Sequence, residues 1–203
     1  DWVHDGAILG LKQGEKSFTR MAAIRDEGAR IVGLWCEDWC GLRETSFGSR
    51  LFWDWRANEK RYPGLRDKIA QLRDEGGRFL GYVNPYLAVD GVLFPQAEAE
   101  GHLVRDAKGG TYVMDFGEFD CGILDFTSPA AIDWFAERVL GQEMLDLGLS
   151  GWMADFGEYL PTDAVLSNGM PGLEAHNLWP VLWARVNEKA LALRGKTEEA
   201  LFF

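Results

Sequence analysis

Four short apolar runs, each ending in a polar or charged residue and followed by a loop, narrow the fold of this chain more than any other feature. Ala7-Ile8-Leu9-Gly10-Leu11 stops at Lys12, and Ile31–Cys36 stops at Glu37-Asp38-Trp39. Phe79–Val83 ends at Asn84-Pro85-Tyr86, and Gly151–Ala154 ends at Asp155. Helix-like segments separate them. Ser17 is placed to cap a helix with Phe18, Met21, Ala22 and Ile24 on one face and Gly28 as its C-terminal glycine. A long loop after Trp39 leads to a second helix through Leu65, Ile69 and Leu72, closed by Gly76-Gly77. Ser128-Pro129 opens a third, which buries Ile132, Phe135, Val139 and Leu140, with Gly148 beyond its end. A last helix is expected over 172–193, and Ala200–Phe203 reads as the start of a fifth strand.

Alternating strands and helices imply a parallel sheet covered by helices. Polar residues at successive strand ends are the pattern of a (β/α)8 barrel, whose site gathers there. An open doubly wound sheet is the alternative, but no glycine-rich phosphate loop follows the first run. A whole barrel takes about 250 residues. The 203 residues are therefore expected to form one partial domain, strands 1–4 with their helices, truncated near the start of the fifth strand. The segment at about 90–125 breaks the rhythm and reads as an insertion, with a hairpin at Gly109-Gly110 between Leu103-Val104 and Tyr112-Val113. Asp1 is not a methionine and Leu201-Phe202-Phe203 is apolar, as expected of a piece of a longer protein.

Composition excludes several classes. The 32 acidic residues outnumber the 21 basic ones, and a net charge of −11 argues against nucleic acid or an anionic membrane as partner. No stretch approaches the ~20 apolar residues of a membrane span, and no signal-peptide pattern precedes the first strand. Three cysteines (Cys36, Cys40, Cys121) form neither a disulfide framework nor a zinc-ligand pattern. No metal or cofactor is expected, and a reducing, cytoplasmic setting follows. Nine Trp and twelve Phe fill a core, line a pocket, or both.

Asp155 is the leading candidate for chemistry. A carboxylate at a strand end in a half-apolar pocket can attack or take a proton; it can equally cap the next helix. The echo Met114-Asp115-Phe116-Gly117-Glu118-Phe119 is read as a loop feature or coincidence. Lys12 and Glu37 close neighbouring strands, so their side chains can meet, either to hold sugar hydroxyls or as a simple salt bridge. Arg43 and the run Thr45–Trp55, containing Arg50, Trp53 and Trp55, offer guanidinium and indole groups to an oxyanion or a sugar ring. Packing of the loop's own aromatics is the other reading.

The segments GWMADFGEYLPTD (151–163), YVNPY (82–86), EDWCGLRETSFGSR (37–50) and HNLWPVLWA (176–184) resemble glycoside hydrolase family 31, and most closely its sulfoquinovosidase branch. Asp155-Phe156-Gly157-Glu158 departs from the family's common Asp-x-Asn-Glu as that branch does. The resemblance implies a retaining α-glycosidase on a (β/α)8 barrel, with Asp155 as nucleophile. It implies sulfonate recognition by Arg50 and Trp53, and sugar-hydroxyl contacts by Lys12 and Glu37. The ligand is then a small sulfonated glycoside such as sulfoquinovosyl glycerol or a sulfolipid headgroup.

Retention takes two carboxyl groups about 5–5.5 Å apart, and the resemblance places the acid/base after the fifth strand, beyond residue 203. Alone, the chain is expected to be inactive and, with open sheet edges, to associate into homo-oligomers. The alternatives are a neutral-sugar α-glucosidase of the same family and a non-catalytic carbohydrate-binding half-barrel.

Overall fold

The computed structural model describes residues 2–203. Its strands are β1 (Ala7–Gly10), β2 (Ile31–Trp35), β3 (Leu42–Thr45), β4 (Gly48–Leu51), β5 (Arg78–Val83), β6 (Tyr86–Ala88), β7 (Val113–Asp115), β8 (Asp120–Ile123), β9 (Gly151–Ala154) and β10 (Leu201–Phe202). The α-helices are α1 (Lys16–Asp26), α2 (Leu65–Asp74), α3 (Leu93–Ala99), α4 (Pro129–Trp134), α5 (Gly172–His176) and α6 (Trp179–Leu193).

β1, β2, β5, β9 and β10 make one parallel sheet whose order follows the sequence. A doubly wound sheet reverses direction at a switch point. Here each crossover steps to the next position, as in the wall of a (β/α)8 barrel. β5 lies mid-sheet, and Phe79 to Val83 are all buried. Trp152 on β9 is also buried, its Nε1 donating to Asn187 Oδ1 of α6 at 2.7 Å. Phe126 stacks on Trp179 and Trp183 of α6, at 5.5 and 5.3 Å between ring centres. Most indoles therefore serve the core: Trp39, Trp53, Trp55, Trp152, Trp179 and Trp183 are buried.

The helices follow the spacing with instructive exceptions. α2 buries Leu65, Ile69 and Leu72 as predicted, and Ser128 caps α4, accepting from Ala131 N–H. Ser17 does not cap α1. It lies buried in the first turn, its Oγ accepting from Gln13 N–H at 3.3 Å. Ala22 is exposed, and Met21 carries the packing. α4 runs on as a π-helix over Phe135–Leu145, which a 3.6-residue pattern does not anticipate. Arg194 lies against its Gly141, where a Cβ would sit 2.7 Å from the guanidinium, and pairs with Glu137 and Asp146. The single helix expected over 172–193 is two, α5 and α6. Pro180 lacks the N–H that would bond back to His176, so the helix restarts there.

Between β5 and β9 the chain builds a second, antiparallel sheet ordered β6-β8-β7. The Gly109-Gly110 turn is present, with Tyr112 N–H bonding Val104 O at 2.8 Å, but the regular pairing is β7 with β8. The long loop expected after Trp39 contains the β3–β4 hairpin.

Candidate active site

Asp155 leaves β9 at its C-terminal end. Its N–H bonds Val83 O at 3.0 Å, extending the β5–β9 pairing by one step. Tyr82 Oη donates to Asp155 Oδ2 at 2.7 Å. Tyr82 is only 4% exposed. Burial first, then the adjacent carboxylate, push its phenol far above the usual range, so it keeps its proton and acts as a donor. Asn84 Nδ2 approaches Tyr82 Oη at 3.4 Å, while Asn84 Oδ1 accepts from Tyr86 N–H at 3.0 Å.

The next residue, Phe156, has φ +56°, a left-handed conformation that costs a side-chain-bearing residue roughly 1–2 kcal/mol. Gly157 then passes so close to Trp183 that a Cβ would lie 2.9 Å from its indole. The turn leaves Asp155 half-buried beside a cavity of about 290 Å³, walled by Glu158, Pro180, Trp183, Phe202 and Phe203.

Lys12 and Glu37 meet as their strand-end positions predict, with Nζ and Oε2 3.5 Å apart. Their side chains are 43% and 33% exposed and line a cleft of about 150 Å³ with Trp35. The adjacent Asp38 points the other way and is fully buried. It accepts from Tyr62 Oη at 2.6 Å and Gly14 N–H at 3.1 Å, and pairs with Arg61.

Trp53 is 7% exposed and enclosed by rings. It stacks on Tyr86 at 5.5 Å and meets Phe116 at 4.9 Å, Phe119 at 5.5 Å and Phe156 at 5.6 Å. Asp155 is thus linked to this cluster through its neighbour Phe156. Arg50 projects into solvent from β4, its guanidinium 4.7 Å above the Phe47 ring. Arg43 is not available to an oxyanion. It lies between Phe52 and Phe119 and bonds both Asp90 oxygens, at 3.0 and 2.7 Å, which holds that carboxyl below its usual range.

The echo motif turns out to be structural. Phe116 and Phe119 pack on Trp53, and Glu118 accepts from Ser46 N–H at 2.8 Å, joining the β7–β8 turn to the β3–β4 turn. The three cysteines are free and buried. Burial pushes the Cys36 thiol up to about 12, and Cys40 and Cys121 well above their usual value, so none supplies a thiolate nucleophile.

The sequence reading missed Tyr82, Asp38 and Glu118. For Tyr82 a signal existed: side chains alternate along a strand, so Tyr82 shares a face with Asn84 at the end of β5. For Asp38 and Glu118 the partners are distant in sequence and no local pattern names them.

A parallel sheet wound in one direction, with a half-buried carboxylate at the C-terminal end of β9, is the layout of a TIM-barrel enzyme. Residues 19–203 match the family "Glycosyl hydrolases family 31 TIM-barrel domain", and the chain belongs to glycoside hydrolase family 31. It is 65% identical over 203 residues to the sulfoquinovosidase of Agrobacterium fabrum, covering 100% of this chain and 31% of that protein. It is 47% identical over 204 residues to the sulfoquinovosidase of Escherichia coli, covering 100% of this chain and 30% of the relative. Its fold matches a solved family 31 sulfoquinovosidase from E. rectale, in complex with an aza-sugar inhibitor, with a TM-score of 0.95 and 45% identity. That match covers 100% of this chain and 31% of the other. The chain thus spans just under a third of the length of these relatives. No helix among the described residues is long and apolar enough to cross a membrane.

Proposed function

We propose that this chain is the N-terminal half of the (β/α)8 barrel of a retaining α-sulfoquinovosidase. Strands following β10 complete the wall and bring the acid/base carboxyl. In this reading an Asp155 oxygen attacks the anomeric carbon as the bond from that carbon to the aglycone oxygen breaks. The leaving oxygen takes a proton from the acid/base group. Water then cleaves the glycosyl ester, giving its proton to the same group and releasing Asp155 as a carboxylate. Arg50 and the Trp53 N–H donate to the sulfonate oxygens, and Lys12 and Glu37 engage ring hydroxyls. The setting is a reducing, cytoplasmic one.

A fixed indole, Trp53, with an unburied guanidinium, Arg50, three residues earlier in the chain is the observation that supports the sulfonated substrate. A neutral glucoside has no use for that cation. The test compares kcat/KM of the full-length enzyme on matched aryl α-sulfoquinovoside and α-glucoside, with Asp155→Asn beside it. Strong preference for the sulfonated substrate, abolished turnover in Asp155→Asn and retained binding are expected. Preference for the glucoside indicates the neutral-sugar enzyme, and wild-type turnover by Asp155→Asn removes the nucleophile assignment.

A further inference from the structure

We infer that Tyr82 is a positioning residue for Asp155: its phenol holds one oxygen of the carboxylate and leaves the other to attack. The inference rests on Asp155 being the nucleophile and goes beyond it, because it assigns work to a residue on a different strand.

The geometry is a short relay. The Tyr86 N–H fixes the Asn84 amide through its oxygen, 3.0 Å away. That leaves Asn84 Nδ2 facing Tyr82 Oη, at 3.4 Å. An amide nitrogen only donates, so the Tyr82 oxygen accepts there and directs its own O–H elsewhere. Asp155 Oδ2 receives it, at 2.7 Å. Below, the Asp155 N–H is tied to Val83 O at 3.0 Å. The carboxylate is therefore anchored to β5 twice, by backbone and by side chain, and Oδ1 has no bond among the described residues.

Two physical consequences follow. The phenol is a neutral donor, held protonated by burial, so it orients the carboxylate without neutralising it as an ammonium would. Its ring is wedged against Trp55, with centres 5.9 Å apart, and Trp55 in turn donates to Tyr86 O at 2.7 Å. The donor thus cannot drift with substrate, and the reacting oxygen is aligned before substrate arrives.

The test uses the full-length enzyme with an aryl α-sulfoquinovoside. Wild-type turnover and a dead Asp155→Asn variant are established first, which separates failure of the enzyme reading from failure of this one. Tyr82→Phe keeps the ring and removes the O–H. Its kcat/KM should fall by about 10- to 100-fold, the range of a lost hydrogen bond to a charged group. KM should barely change, so the loss falls on kcat. A role in packing alone would lower thermal stability and leave kcat in place.

Asn84→Asp is the second variant. It keeps the acceptor for Tyr86 N–H but offers the Tyr82 proton a competing carboxylate. It should reproduce the fall in kcat with KM unchanged. Wild-type kcat/KM in either folded variant would overturn the assignment.

Discussion

The end of β9 and the β3–β4 hairpin carry their key side chains in opposite ways. Asp155 leaves a strand paired on both sides, and its bonds run to backbone and to a buried ring. Arg50 stands on a two-stranded ribbon, with Phe47 beneath it and Ser49 O 3.2 Å from its Nη1. One group is fixed by the sheet, the other only guided by its neighbours. Bond-making tolerates little positional error, whereas a cation that captures an anionic substituent works over a broader range of geometry. In the proposed reading the molecule puts the first task on its scaffold and the second on a loop-like element.

Removing the buried brace after β2 should give the largest effect. Asp38→Ala strands the Arg61 charge and the Tyr62 hydroxyl under the turn after β2, and losing one member of a buried ion pair costs about 3–5 kcal/mol. Urea denaturation measures this, and a loss within error of zero would mean that the sheet end needs no such support.

Arg50→Ala addresses the guided end. The ratio of kcat/KM for sulfonated over neutral glycoside should drop by about 10- to 100-fold, the equivalent of roughly 1.5–3 kcal/mol for a charge-assisted contact. Activity on the neutral substrate should stay. A loss on both substrates would show that the hairpin shapes the reacting centre, erasing the contrast.

The smallest effect belongs to the strap between hairpins. Bonds from Ser46 hold Glu118 below the usual glutamate range. A carboxyl depressed by folding stabilises fully above its unfolded value, and that contribution is lost as pH falls through the lower folded value. Glu118→Gln should raise KM for the sulfonated substrate only a few-fold, about what an exposed polar contact is worth, with kcat kept. The unmodified enzyme should lose the same few-fold in KM as acid is added below about pH 4, and the variant should show no such step. An equal acid response in both would place the strap elsewhere.

The sequence disclosed the sheet and its polar rim because each depends on local pattern. An apolar run has a visible end, so Lys12, Glu37 and Asp155 could be read as rim residues, and the first two as neighbours. What escaped depends on partners far away in the chain. β3 and β4 alternate weakly, since four of their eight residues are exposed and only Leu51 is buried, so they read as loop. α3 shows no cap of its own because its first amides are capped by Asp54, whose Oδ1 accepts from Val92 and Leu93 N–H at 2.7 and 2.9 Å. Arg43 resembled an anion ligand because Asp90 was not visible as its partner.

The ring cluster around Trp53 has a consequence for how the molecule comes into being. Its members arrive from β6, from the β7–β8 turn and from the residue after Asp155, so the cluster closes only when widely separated segments have met. Contacts of such long sequence separation are made late, after the entropy of closing the intervening loops has been met. A nascent chain shorter than Phe156 cannot complete the box. Trp53 is therefore a built-in clock: its fluorescence should change in the last phase of refolding, after the helices have formed.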